Sequence, residues 1–199
     1  PDGSGKSTQI ENIKEFFHDK NMDIIFTREP GGTPIGERIR GIILDRKCSE
    51  MDPMTEAMLY AAARAQHVAQ VIRPALEEGK IVICDRFVDS SIAYQGYGRK
   101  LGEAVASINH FAVKECMPDM TILLKLDPSV GKHRISEDQQ DRLEAEREAF
   151  HQEVYKGYLE LEKNFPDRIV GIDADRGIDE IKVDIYEKLE KILSNRCSQ

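Results

Sequence analysis

Four short apolar runs, rich in β-branched residues, constrain this chain more than any other feature. They are DIIFT (Asp23 to Thr27), KIVICD (Lys80 to Asp85), MTILLKLD (Met120 to Asp127) and RIVGIDA (Arg168 to Ala174). None alternates cleanly between apolar and polar residues, and strands covered on both faces read this way. Helical spacing fills the intervals. Ile10, Ile13 and Phe17 share one face of a first helix, and Met54 to Ile72 reads as a long helix stopped near Pro74. Leu143 to Phe165 carries Val154, Tyr158 and Leu161 on one stripe, and Ile178 to Leu193 carries Ile181, Ile185, Leu189 and Ile192. Such alternation, with no repeat and no linker, predicts a single α/β domain over 1–199: a parallel sheet between two layers of helices. In these sheets ligands bind beyond the carboxyl ends of the strands. Those loops begin here at Arg28, Asp85, Asp127 and Asp173. Three open on a carboxylate, and Arg28 stands before Glu29.

The chain opens Pro1-Asp2-Gly3-Ser4-Gly5-Lys6-Ser7-Thr8, the phosphate-binding pattern G-x-x-x-x-G-K-[ST] without its first glycine. Small residues let successive backbone N–H groups of Gly3, Ser4, Gly5, Lys6, Ser7 and Thr8 wrap phosphate oxygens, and the helix that follows turns its positive end to the same anion. In this pattern Lys6 reaches the β- and γ-phosphates of ATP, and the Ser7 hydroxyl holds Mg²⁺. The pattern also requires a strand ahead of the loop. The expectation is therefore that the chain extends upstream of Pro1 by roughly ten residues, a buried strand plus its turn glycine. A sheet lacking it should be interrupted, because skipping one strand separates its neighbours by about 10 Å.

Charge narrows the partners. Lys and Arg number 28 against 36 Asp and Glu, a net charge of −8, so a nucleic-acid coat or an anionic membrane is excluded as a general partner. Any phosphate site must be a local basic pocket. No apolar run approaches the ~20 residues of a membrane-spanning helix. Cys48, Cys84, Cys116 and Cys197 lie far apart without a C-x-x-C pair, which argues against a disulfide framework or a zinc site and for a reducing, cytoplasmic setting.

The remaining loops sharpen the chemistry. After the first strand comes Arg28-Glu29-Pro30-Gly31-Gly32-Thr33-Pro34; after the second come Asp85-Arg86-Phe87, Asp89-Ser90-Ser91 and Tyr94-Gln95-Gly96-Tyr97-Gly98-Arg99. An Asp-Arg pair at a strand end suits a metal–phosphate site, since Arg grips phosphoryl oxygens with two parallel bonds. The strings PDGSGKST, TREPGGTPIGERIR, TEAMLYAAARAQHV, CDRFVDSSIAYQGYGR and DRLE resemble bacterial thymidylate kinases in order and spacing, over nearly the whole chain. The resemblance implies a three-layer P-loop kinase fold, transfer of the γ-phosphoryl of Mg²⁺-ATP to dTMP to give dTDP, and a homodimer, for which the apolar-rich helix around Met54 to Val71 is a candidate interface.

By resemblance, Asp2 and Glu29 lie near the metal and the acceptor phosphate, Arg40 holds that phosphate, Arg86 bridges acceptor and transferring groups, and Asp85 supports the metal. Tyr60 takes the position that stacks on thymine. Arg64 takes that of the arginine bonding thymine O4, an acceptor where cytosine carries an amino donor. Ser91 and Gln95 match further base contacts, and Tyr94 matches the tyrosine that crowds the sugar 2′ position. The phosphate loop contains no arginine, so a transition-state arginine must come from a lid expected at about 133–144; Arg142, inside DRLE, is the first candidate and Arg134 the second. Three rivals stay open: another nucleotide or deoxynucleoside kinase; a GTP-dependent switch, although no N-K-x-D string is present; and a catalytically dead scaffold, although Lys6, Ser7, Asp85 and Arg86 are all intact.

Overall fold

The computed structural model describes residues 3–132 and 141–196. Asp2, Arg134 and positions 133–140 of the expected lid lie outside the described residues.

The elements start where local chemistry starts them. Gly5, at φ 82°, turns the phosphate loop into α1 (Lys6–Asp19); only glycine enters that left-handed region without strain. After β1 (Ile24–Arg28), Thr33 accepts the Gly36 N–H at 2.9 Å and Pro34 opens α2 (Pro34–Leu44). Asp52 accepts the N–H groups of Met54 at 2.8 Å and Thr55 at 3.3 Å, ahead of α3 (Pro53–His67). Both starts pair a side-chain cap with proline at the first helical position, where its missing N–H costs nothing.

Pro74 does not stop the long helix. A π-helical turn, Val68–Ile72, joins α3 to α4 (Arg73–Glu77), and the Arg73 N–H reaches back to the Val68 carbonyl. The widened turn relieves the clash that proline imposes on the carbonyl four residues earlier, so the axis runs on through it. A second π-helical stretch, Ile92–Gly98, extends α5 (Val88–Ser91), which follows β2 (Ile81–Asp85). Then come α6 (Glu103–Val113), β3 (Thr121–Lys125), α7 (Pro128–Lys132), α8 (Glu148–Asn164), β4 (Ile169–Asp173) and α9 (Ile178–Arg196).

The expected helix from Leu143 starts five residues later, at Glu148. DRLE forms a capping box instead: Asp141 Oδ1 accepts from the N–H of Leu143 at 2.8 Å and of Glu144 at 2.9 Å, and Glu144 Oε2 accepts the Asp141 N–H at 3.0 Å. The turn does not propagate because its residues are tied elsewhere. The Arg142 N–H points to the Leu44 carbonyl at 3.3 Å, and Glu146 pairs with Arg99 at 2.6 Å.

β1 and β2 are parallel, with Ile24 opposite Ile81 and Arg28 opposite Asp85; β3 and β4 are parallel, with Thr121 opposite Ile169 and Lys125 opposite Asp173. Among the described residues no ladder joins the two pairs. A cavity of about 320 Å³ lies between β2 and β3, lined by both strands, by Ile13 and Phe17 of α1 and by Ile185 and Leu189 of α9. Among the described residues the sheet is thus interrupted between β2 and β3.

Alternate strand residues enter different layers. Leu124 and Ile172 pack with Ile13, Phe16 and Phe17 of α1 and Ile181, Ile185 and Leu189 of α9. Leu123 and Ile169 pack with Val154, Tyr158 and Leu161 of α8 on the other face. Two covered faces explain why the strands read as nearly continuous apolar runs.

Candidate active site

The parallel registers end level, so the loops after β1 and β2 open side by side. The Glu29 N–H continues the ladder onto the Asp85 carbonyl at 3.0 Å. Lys6, at the first turn of α1, lines the interstrand cavity together with Asp85 and Arg86, residues some eighty positions later in the chain. Arg86 sits at φ 64°, a left-handed conformation that costs a non-glycine residue roughly 1–2 kcal/mol. The guanidinium lies 5.2 Å from the centre of the Tyr94 ring and reaches the Tyr158 hydroxyl at 3.5 Å; that hydroxyl donates to Ser90 Oγ at 2.9 Å. Gly3 seats so closely against the Gly131 backbone that no side chain fits there. Ser7 and Thr8 are exposed on the first turn of α1.

The loop after β1 is fastened through its carbonyls. Pro30 O accepts from Arg28 at 3.1 Å and from Arg40 at 2.9 Å, so the expected phosphate-holding Arg40 borders the turn that carries Glu29. Glu29 is buried. His67 Nδ1 lies 2.9 Å from its Oε1, and Arg64 Nε lies 2.8 Å from its Oε2, close enough for an ion pair but off the hydrogen-bonding angle. The other ring nitrogen of His67 meets Thr27 Oγ1 at 2.7 Å. A side chain on Gly32 would strike this ring at 2.7 Å, which is why the Pro-Gly-Gly turn can settle on His67. Nothing in the sequence marked His67 apart from its place three residues after Arg64, one turn along the same helix face.

The expected base contacts also converge. Arg64, 1% exposed, donates to Ser91 Oγ at 3.0 Å and to Asn109 Oδ1, with its guanidinium 5.3 Å from the Phe87 ring centre. Asn109, unanticipated by sequence reasoning, donates its own amide to the Val105 carbonyl at 2.8 Å, which leaves its oxygen for Arg64. Gln95 Nε2 donates to Glu56 Oε1 at 2.9 Å. Tyr60 stands one turn after Glu56; burial and then the Glu56 charge push its hydroxyl pKa up.

Glu56 was also missed, and it is fully buried. Besides Gln95 it takes Arg99 at 3.0 and 3.2 Å and Arg142 at 2.6 Å. Burial opposes its charge, but the bonds from Arg99 and Gln95 outweigh burial and hold its pKa below the ordinary value of 4.5. Arg142, the first candidate for a transition-state arginine, is here bonded to this buried carboxylate. Its Nε donates to the Ile43 carbonyl at 2.8 Å and its terminal nitrogen to Glu56, so it clamps the DRLE turn to α2 and α3. Cys84 is half-buried; desolvation raises its thiol pKa, and the thiol donates to the Arg86 carbonyl at 3.0 Å, the setting of a structural thiol. Among the described residues no cluster of three or more His, Cys, Asp or Glu is arranged around a metal position.

A Gly-Lys-Ser loop opening α1, parallel strands ending on Arg28-Glu29 and an Asp-Arg pair, and the buried arginines Arg64 and Arg142 define an α/β kinase that acts on a nucleotide. The comparisons with known proteins narrow the class. The thymidylate kinase family model matches residues 1–185. The chain is 50% identical over 200 residues to the thymidylate kinase of Pediococcus pentosaceus, covering 98% of this chain and 95% of that protein. It is 46% identical over 197 residues to that of Halalkalibacterium halodurans, covering 97% and 94%. The crystal structure of thymidylate kinase from Ehrlichia chaffeensis superposes with a TM-score of 0.76 at 30% identity, covering 96% of this chain and 94% of that one. The chain belongs to the thymidylate kinase family, and its reaction is the phosphorylation of dTMP.

Proposed function

We propose that the chain carries the γ-phosphoryl group of Mg²⁺-ATP to dTMP for dTTP synthesis, working as a cytoplasmic homodimer. The observation that carries this reading is the level ending of β1 and β2, which sets Glu29 beside Asp85 and Arg86, with the Arg64–Ser91 pair set on the helices behind. An oxygen of the dTMP phosphate bonds to the γ-phosphorus, the bond to the β–γ bridging oxygen breaks, and ADP leaves. Two polyanions must approach each other, so the protein's work is positioning and charge neutralisation. Lys6 holds the β- and γ-phosphates against the N–H groups of Gly3, Ser4 and Gly5. Arg86 spans the acceptor and transferring groups, Arg40 holds the acceptor phosphate, and Asp2 and Glu29 flank it. The Ser7 hydroxyl and the Asp85 carboxylate are hard oxygen donors that suit Mg²⁺, and so small a protein ligand set fits an ion held chiefly by phosphate and water. Bound there, Mg²⁺ would neutralise phosphate charge.

Tyr60 stacks on thymine, Arg64 donates to O4, Ser91 and Gln95 complete the base contacts, and Tyr94 crowds the sugar 2′ position. A lid closing over both substrates keeps water from taking the phosphoryl group. Because Arg142 is committed to Glu56, the lid arginine of this reading is Arg134.

The test follows ADP release from Mg²⁺-ATP with dTMP, dUMP, dCMP, dGMP and AMP in parallel. The expected result is a strong dTMP preference, with dUMP lower by roughly 10–200-fold, the worth of one methyl in an apolar pocket. Equal efficiency with dUMP, or a preference for another base, overturns the pocket assignment. Light scattering at micromolar concentration should give a dimer mass, and a monomer mass refutes the assembly.

A further inference from the structure

The buried amide of Gln95 poses a question of orientation. Gln95 is 1% exposed, and its Oε1 is buried without a hydrogen-bond partner among the described residues. A buried acceptor left unpaired costs roughly 1–3 kcal/mol, so native structures rarely keep one without a use. The two ends of an amide look alike in shape, and only the surrounding hydrogen bonds settle which way it faces. Here the neighbour settles it. Glu56 is a carboxylate, fully buried, and receives bonds from Arg99 and Arg142. An ionised carboxylate only accepts, so Gln95 must present Nε2 to it, as the 2.9 Å bond records. The carbonyl end is thereby turned away from Glu56.

We propose that Glu56 is a specificity-determining positioning residue: by claiming Nε2 it fixes the Gln95 amide with Oε1 as an acceptor for the base. That acceptor suits thymine and uracil, which carry a hydrogen on N3, and opposes cytosine, whose N3 is itself an acceptor. Arg64 donates to O4 and Gln95 accepts from N3–H, so the pair reads two adjacent positions with opposite polarity. Glu56 never touches the base. Its charge acts through the amide, and the two arginines keep that charge in place. The inference rests on the reading of Gln95 as a base contact.

In Glu56→Gln the neighbour can donate as well as accept, and Arg99 and Arg142 compete for its single oxygen. The Gln95 amide is then released to turn, and either end can meet the base. Initial rates with Mg²⁺-ATP, varying dTMP and dCMP separately, read this directly. The expected result is a rise in KM for dTMP on the order of 10- to 100-fold, the range spanned by a hydrogen bond to a charged or misaligned partner. dCMP efficiency should hold or rise, so the dTMP:dCMP ratio falls at least tenfold, and KM for ATP should stay unchanged. Glu56→Asp, which keeps a group that only accepts, should retain more of the ratio than Glu56→Gln. A merely structural residue would depress dTMP and dCMP by the same factor, and that result overturns the proposal. The double variant Glu56→Gln with Arg142→Met removes the guanidinium that the lost charge would strand; it supplies the same ratio should the single variant fail to fold. A native protein with no dTMP-dependent ADP release would instead defeat the kinase reading, an outcome distinct from a kinase whose ratio ignores Glu56.

Discussion

His67→Leu tests whether the loop after β1 is held by one buried ring. The ring is fully buried, meets Glu29 through Nδ1 at 2.9 Å and Thr27 through Nε2 at 2.7 Å, and leucine replaces it with an apolar side chain of similar bulk. The bond to the Glu29 carboxylate is worth about 1.5–3 kcal/mol, and a Thr27 hydroxyl left unpaired adds about 1 kcal/mol. The total, about 3 kcal/mol, corresponds to a fall in Tm of about 6–12 °C for a chain of this size. The chain has no tryptophan, so far-ultraviolet circular dichroism is the suitable probe of urea unfolding. The m value should stay constant while the midpoint moves. A double-mutant cycle with Glu29→Met isolates the pair. The expected coupling is about 1.5–3 kcal/mol; a value below about 0.5 kcal/mol, the limit of additivity for independent sites, refutes the claim that His67 holds Glu29.

Arg142→Met should lower Tm markedly, since breaking a buried ion pair costs about 3–5 kcal/mol, while leaving kcat at low temperature within about tenfold; a loss of ~10³-fold or more with Tm intact would return Arg142 to the transition state. Gly157→Ala should destabilise by about 1–3 kcal/mol, because a Cβ there would meet the Tyr97 ring at 2.8 Å, and an unchanged melting curve would show that α8 and the Ile92–Gly98 turn can separate freely. Glu56 has a pKa depressed below 4.5 in the folded protein, so its stabilisation is complete above about pH 4.5 and is lost as pH falls through the folded value. The stability gap between the native protein and Glu56→Gln should therefore narrow as acid is added below that point, and a gap independent of pH contradicts the ionised assignment.

Much of the fold, and the residues that gather in the candidate site, were legible in the residue pattern. The four strands lie within two residues of the runs that announced them, since a strand buried on both faces must be apolar along its whole length, and few other elements of that length are. The phosphate loop was legible because its chemistry is local: glycine, lysine and serine at fixed offsets before a helix. Element ends were less secure. Pro74 reads as a stop, yet a π turn absorbs it, and Leu143 reads as the start of a helix, yet the capping box there is held short by Arg142 and Glu146.

Pairings across the chain could not be read at all. His67 meets Glu29 from 38 positions away, Glu56 meets Arg142 from 86, and nothing near Glu56 tells it from a surface glutamate on a helix. Arg142 carries the same lesson, because its bonds to the Ile43 carbonyl and to Glu56 join segments remote in the chain. The sequence by itself determined the layered α/β frame, the strand identities and the phosphate loop, because periodicity and turn chemistry act over a few residues. Only the tertiary structure decided which arginines are spent on buried carboxylates, and which way the Gln95 amide faces. Those outcomes depend on distances between remote segments, and a buried charge takes its role from the partner that folding brings to it.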